Sequence, residues 1–324
     1  MWLKLFVSVL CMSANAASYH GPKSNFEAKL LWEEGRKLFE ENKFDDASKA
    51  LQRLVDRYPG KKGYLEAHEL LGESYLSLGL FESALTPLKY FIEATPSMSE
   101  GNLKAKLRLA EAYIGLKKYS EAILSTQEVA KMATNFPLLD VNAKLLEGNA
   151  RLALKDAPAA QQILFKLDLA KKKVQNIPQV FVSKIFLLNI RFNLFNCEKL
   201  SHALPLDEGQ VRAHFKEEGQ CIMNTLNALR EETSKSISSH ELNEARNSIV
   251  ESLKTHFQWT EVPPPAAKKL TRAENTEYVK ELKTVLSKDF QIFFKDFLDI
   301  TKKLESKTSS DFVAPIKKLG FLNP

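Results

Sequence analysis

Four alanines set the frame of this chain. Ala47, Ala84, Ala122 and Ala160 stand 37, 38 and 38 residues apart. Phe44, Phe81, Tyr119 and Ala157 precede them by three positions, and Leu51, Leu88, Thr126 and Leu164 follow them by four. Small residues at such a period, inside runs with apolar positions three or four apart, mark stacked helix pairs. Only a small side chain lets two helix backbones approach at every step of the stack. An ordinary amphipathic bundle would show the helical spacing without the long period. One pair cannot bury its apolar face alone, so at least three must stack.

The period divides the sequence into 28–61, 65–98, 103–136 and 141–173. Each first helix carries a small residue: Gly35, Gly72, Ala110 and Gly148. Breaks between helices fall at Glu41-Asn42-Lys43 and Leu78-Gly79-Leu80. Asp45 and Ser120 have the side-chain oxygens to cap their second helices. Pro59 and Pro96 stop the helices before them. Each of these prolines follows the first small residue of its repeat by 24 positions.

These residues resemble the tetratricopeptide repeat (TPR), strongly in the first two repeats, fairly in the third and weakly in the fourth. The segment FDDASKALQRLVDRYP is similar to repeats of bacterial envelope proteins, among them outer-membrane assembly lipoproteins and periplasmic cell-division coordinators. The resemblance implies an all-α helix-turn-helix solenoid whose first helices line a concave groove for polypeptide. Carried over position by position, it places Lys29, Trp32, Arg36 and Phe39 in that groove, then Glu66, Glu69, Glu73 and Leu76. Lys104, Leu107, Glu111 and Ile114 follow, then Asn142, Leu145, Asn149 and Leu152. The expected surface has a cationic aromatic entrance, an acidic middle and an apolar far end. Trp and Arg are the residue types that most often dominate interfaces. A peptide with basic residues beside apolar ones would suit it. The alternative is that residues 17–27 simply cover Trp32 and Phe39. The family's chaperone-binding members clamp a peptide carboxylate with Lys and Asn, where this chain has Trp32 and Arg36.

The first residues read as a targeting segment. Lys4 supplies a positive charge, Leu5 to Met12 are apolar, and Ala14-Asn15-Ala16 fits a small-x-small cleavage pattern. Residues 1–16 are therefore expected to be a signal peptide, and 17–27 a short N-terminal segment. Leu10 is too bulky for lipid processing at Cys11. Val180 to Phe195, the best remaining apolar run, has 16 residues and includes Lys184, Asn189 and Arg191. A span needs about 20 apolar residues, so stable membrane insertion is not expected. With the envelope resemblance, this points to the periplasm, with an extracellular location as the alternative. The net charge of +6 is spread along the chain. Lys171-Lys172-Lys173 is expected at a helix C-terminus, where cations suit the dipole. No basic stripe interleaved with aromatics marks a nucleic-acid surface.

After residue 173 the period fades. A helical extension, 174–262, is expected to hold helices at 178–197, 206–233 and 239–258. The first is apolar nearly all round and suits a degenerate fifth repeat closing the stack. Pro263-Pro264-Pro265 opens the last region, 263–324, with a long helix at about 273–306. Its stripe of Val279, Leu282, Leu286, Phe290, Phe293 and Phe297 either packs on the protein's own core or docks a partner or a second copy.

Cys197 and Cys221, the two cysteines outside the targeting segment, are expected to form a disulfide in an oxidising compartment. With His202 and His214 they also have the ligand types for zinc, but not the spacing of known sites. No cofactor and no metal is expected. His68 reads as a packed histidine rather than a base. No nucleophile-elbow, phosphate-loop or dinucleotide motif occurs. Glu217-Glu218 and Asp45-Asp46 cannot converge within one helix, because neighbours there point about 100° apart. The sequence thus favours a non-catalytic periplasmic TPR scaffold that binds a protein or peptide in a cell-envelope complex. A regulatory or catalytic role in cell-wall metabolism, seated in the C-terminal helices, is the alternative.

Overall fold

The computed structural model describes residues 22–59, 64–174, 176–200, 207–232, 239–263 and 270–308. The expected signal peptide, 1–16, lies outside them, as do His202, Pro264 and Pro265. The fold is all-α, with helix-turn-helix repeats followed by a C-terminal helical bundle. The described residues contain twelve α-helices and no strand. They divide into two compact units, Met1–Ala94 and Thr95–Pro324.

The first unit holds α1 (Pro22–Glu40), α2 (Phe44–Arg57), α3 (Leu65–Ser77) and α4 (Phe81–Ala94). Each helix packs on the next, and α1 also packs on α3. The core joins Ala28 and Leu31 to Leu51, Leu54 and Tyr58, and reaches Ala67 and Leu71. Glycine in a first helix gives a second-helix leucine its seat. A β-carbon at Gly35 would lie 2.7 Å from Leu51 Cγ, and one at Gly72 would lie 2.5 Å from Leu88 Cγ.

The second unit opens with two more pairs: α5 (Glu100–Gly115) with α6 (Tyr119–Met132), and α7 (Pro137–Ala153) with α8 (Ala157–Lys173). Then come α9 (Gln179–Leu200), α10 (Glu208–Glu232), α11 (Ser239–Glu261) and α12 (Arg272–Thr308). α9 packs on both α7 and α8, as a further first helix would, and also on α10 and α11. At Gly148 the missing β-carbon would lie 2.6 Å from Leu188 of α9 and 3.3 Å from Ile163. The last repeat thus takes its filling side chain partly from the bundle.

The four turns inside the pairs are built alike. Asn42, Gly79, Lys117 and Lys155 have φ of 58, 71, 59 and 60°. Their amides donate to Phe39, Leu76, Ile114 and Leu152. The next residues, Lys43, Leu80, Lys118 and Asp156, donate further back to Leu38, Tyr75, Tyr113 and Arg151. This left-handed closure consumes carbonyls that a helix C-terminus leaves unpaired. The alanines Ala47, Ala84, Ala122 and Ala160 make the first bonds of the second helices, to the same Lys43, Leu80, Lys118 and Asp156. All four alanines are buried. The period in the sequence is therefore the period of one repeated turn and one repeated close approach.

Asp45 and Ser120 do not cap. α2 begins at Phe44 and α6 at Tyr119, so both residues lie inside the first turn, and Lys43 and Lys118 hold the cap positions without a side-chain bond. Asp45 instead pairs with Lys49 at 2.6 Å. Caps appear elsewhere. Ser99 accepts from Asn102 at the start of α5, and Asp156 from Ala159 at α8. Asp207 with Gln210 and Thr271 with Glu274 form reciprocal pairs at α10 and α12. Lys171, Lys172 and Lys173 fill the last turn of α8.

The bundle α9–α12 has one continuous core. It draws Leu187, Ile190 and Leu194 from α9, Val211, Phe215 and Ile222 from α10, and Leu242, Ile249 and Leu253 from α11. From α12 come Leu282, Leu286, Phe290, Phe294, Phe297 and Leu304. The long stripe of α12 is thus mostly consumed by the protein's own packing, the first of the two readings of that stripe. Cys197 and Cys221 are bonded, with Cα atoms 5.6 Å apart, tying α9 to α10.

One expectation about α9 needs revision. Gln179–Glu198 is long and apolar enough to cross a membrane by length and composition, with mean hydropathy 1.3. Several of its apolar residues already have partners on two sides. Ile185 and Leu188 pack with Val141, Leu145 and Leu167, whereas Leu187, Ile190 and Leu194 enter the bundle core. Its length is that of a core helix shared by two layers.

Candidate functional site

In the first unit, the expected groove residues sit on α1 and α3. Trp32 is half-buried, its ring 6.2 Å from that of Tyr64 at a tilt of 55°. Arg36 is exposed and lies 3.6 Å from Glu40. Phe39 meets Phe44 edge-on at 5.5 Å, so it braces the turn between α1 and α2. Glu69, Glu73 and Leu76 are half-buried on α3. His68 stacks on Tyr90 at 4.1 Å, and burial holds its imidazole below the usual histidine range.

A cleft of about 380 Å³ opens where the third and fourth repeats face the bundle. Ile114 and Tyr119 come from the third repeat, and Asn149, Leu152 and Ala153 from the fourth. The opposite wall is Arg191, Leu194, Phe195 and Glu198 of α9, with Ser248, Glu251 and Ser252 of α11. Three of the expected groove residues, Ile114, Asn149 and Leu152, therefore share one wall.

Arg191 is the hinge-pin of this cleft. Its guanidinium donates to Asn149 Oδ1 at 2.9 Å and to Glu244 at 3.1 Å, joining repeat, α9 and α11. Asn149 in turn donates to the Leu145 carbonyl at 3.0 Å. The polar groups are thus pre-positioned, which reduces what a ligand must order on binding. Around them lie apolar Ile114, Leu152, Leu194 and Phe195. Glu198 and Glu251 add carboxylates to the lining, and Glu251 is paired with Lys254 at 2.5 Å.

Leu107 is not part of any groove. It is 2 % exposed and packs with Leu103, Val129, Ala133 and Ala143. The reason is local: the 3-10 turn Ala133–Asn135 extends α6 and brings Ala133 against α5. Leu145 is likewise buried, under Ile185 and Leu188 of α9. Glu111 stays half-buried, 3.5 Å from Arg108. Among the described residues no group of three or more His, Cys, Asp or Glu could hold a metal ion.

Sequence reasoning missed Arg191 as a cleft residue, and also the pair Glu218–His256. Both of that pair are buried in the bundle, with His256 Nδ1 3.0 Å from Glu218 Oε2. A signal existed. His256 continues the buried series Leu242, Ile249 and Leu253 at helical spacing, and Glu218 sits between Val211, Phe215 and Ile222.

The repeated turn, the small-residue seats and the cleft describe a helical-repeat protein. A tetratricopeptide repeat family model matches residues 33–99. The match spans most of the first two repeats, where the TPR pattern in the sequence is strongest. No curated protein matches the chain. TPR repeats generally mediate protein–protein interaction, and the family is typically non-catalytic.

Proposed function

We propose that this protein is a scaffold that binds polypeptide, and that the cleft between the third and fourth repeats and the bundle is its principal seat. One observation carries the reading. Arg191, fixed by Asn149 and Glu244, stands in a cleft with apolar walls and carboxylates at its lip. Such a surface favours a segment with apolar side chains beside Lys or Arg. The apolar residues supply contact area, and complementary charge supplies orientation and specificity.

The same reading takes the site of action to be an exported compartment, the periplasm. The pattern of residues 1–16 supports this. So does the Cys197–Cys221 bond, since disulfides persist in oxidising surroundings. The partner is then another cell-envelope protein, and Trp32 and Arg36 of α1 offer a further contact.

The test is a selection of random linear peptides on the full chain, followed by titration calorimetry. The selected peptides are expected to pair basic with apolar residues. Glu251→Lys, at a side chain 69 % exposed, should weaken them about tenfold or more through like-charge repulsion. Ala153→Arg, at an exposed position, should obstruct the cleft and abolish binding. Peptides bound equally well by both variants would refute this seat. Loss on Trp32→Ala with Arg36→Ala alone would move the seat to the first unit.

A further inference from the structure

A second cavity lies inside the bundle, among α10, α11 and α12. Its volume is about 300 Å³, at the lower end for small-molecule sites. Phe215, Met223 and Phe293 give it apolar walls, and His256 forms part of the lining. Lys216 and Gln220, both exposed, and the 67 % exposed Ile292 place its mouth at the surface.

His256 is the unusual wall. The residue is fully buried, stacked on Phe215 at 4.0 Å and edge-on to Phe293 at 5.2 Å. Nδ1 is engaged by Glu218, but Nε2 has no hydrogen-bond partner within the protein. Beside Nε2 stands Gly219, in the interior of α10, where a β-carbon would lie 3.2 Å from Nε2 and 3.3 Å from Phe293. Glycine costs a helix interior about 1 kcal/mol relative to alanine, and a buried orphan nitrogen costs more. Packing alone would favour an apolar pair in place of Glu218 and His256. Asp289, also at the cavity, is already satisfied by Arg212 at 2.6 and 3.0 Å.

We propose that this cavity binds a hydroxyl-bearing aromatic ring, a phenol, with its hydroxyl on His256 Nε2 and its ring against Phe215, Met223 and Phe293. The hydroxyl is the group that fits. Nε2 accepts or donates according to the tautomer of the ring, and a phenol can answer either. The aromatic walls suit a ring by stacked and edge-on contact. Such a ring is free in solution or is the side chain of a tyrosine.

The test uses the full chain labelled with 15N-histidine. p-Cresol should move the His256 Nε2 resonance, and toluene, which lacks the hydroxyl, should leave it in place. p-Cresol should also bind about tenfold more tightly than toluene, the yield of one net hydrogen bond. In the double variant Glu218→Met with His256→Phe, toluene binding should persist while the preference for p-cresol disappears. N-acetyl-tyrosinamide separates the sources: binding as tight as p-cresol indicates a tyrosine, and its exclusion indicates a free phenol. Equal affinity for p-cresol and toluene, or an Nε2 resonance unmoved at saturating p-cresol, would overturn the proposal. So would water as the sole occupant, with neither ring bound up to its solubility. None of these outcomes bears on the cleft beside Arg191.

Discussion

Gly72 lies against Leu88, so closely that a β-carbon there would stand 2.5 Å from Leu88 Cγ and 2.7 Å from Cδ2. The third repeat has Ala110 and Thr126 at the equivalent positions, a larger residue opposite a smaller one. Gly72→Ala should therefore destabilise the first unit by about 1–2 kcal/mol, since overpacking outweighs the gain in helix propensity. Adding Leu88→Thr should make part of that loss non-additive, as expected for residues in contact. Urea denaturation of the two single variants and the double variant measures the coupling. Strict additivity would mean that the two residues do not share a seat.

Lys117 and Lys155 hold left-handed turns that Gly79 holds without strain. A β-carbon in that conformation costs roughly 1–2 kcal/mol. Lys117→Gly should raise stability by up to about 1 kcal/mol, because the freer unfolded chain offsets part of the relief. Gly79→Lys should lower it by a similar amount. Thermal melts of both variants read the opposite signs.

Asp289 joins α12 to α10 through Arg212, and that hydrogen-bonded guanidinium holds its carboxyl below the usual carboxylate range. A carboxyl with a depressed folded-state pKa contributes stability above its unfolded pKa. The contribution is lost as pH falls through its lower folded value. Unfolding free energy should therefore decline below about pH 4, and Asp289→Asn should flatten part of the decline. At neutral pH, Arg212→Ala leaves a nearly buried carboxylate and should cost about 2 kcal/mol. Urea titrations from pH 3 to 7 give both values.

The Cys197–Cys221 bond closes a separation of 24 residues. Reduction should lower stability by about 3 kcal/mol on the chain-entropy estimate. Because both cysteines belong to the second unit, hydrogen exchange should accelerate in α9–α12 and leave α1–α4 unchanged. Mass-spectrometric exchange with and without reductant checks the location as well as the size.

Much of the fold was legible because its determinants are local. The four alanines, the breaks at 41–43 and 78–80 and the bundle helices are each specified within one pair or one helix. The seats of Leu107 and Leu145 were not. Leu107 is covered by an extra turn at Ala133, and Leu145 by Ile185 and Leu188 of α9, some forty residues on. A register carried along the repeats cannot see either cover. Ile114, Asn149 and Leu152 were reached by that register, but Arg191, the partner of Asn149, lies where the period has ended. Glu218 and His256 were overlooked as a pair because they come from different helices, and only packing brings them together.

The most direct measurement is photo-crosslinking of a selected peptide that itself carries a benzophenone amino acid, with the attachment sites on the unaltered protein read by mass spectrometry. Leu124 on α6, 67 % exposed and outside the cleft, is the control position. The scaffold account predicts attachment to cleft residues such as Leu152 and Ala153, competed by excess unlabelled peptide, and none at Leu124. Equal attachment at cleft and control, or none in the cleft under saturating peptide, would contradict it.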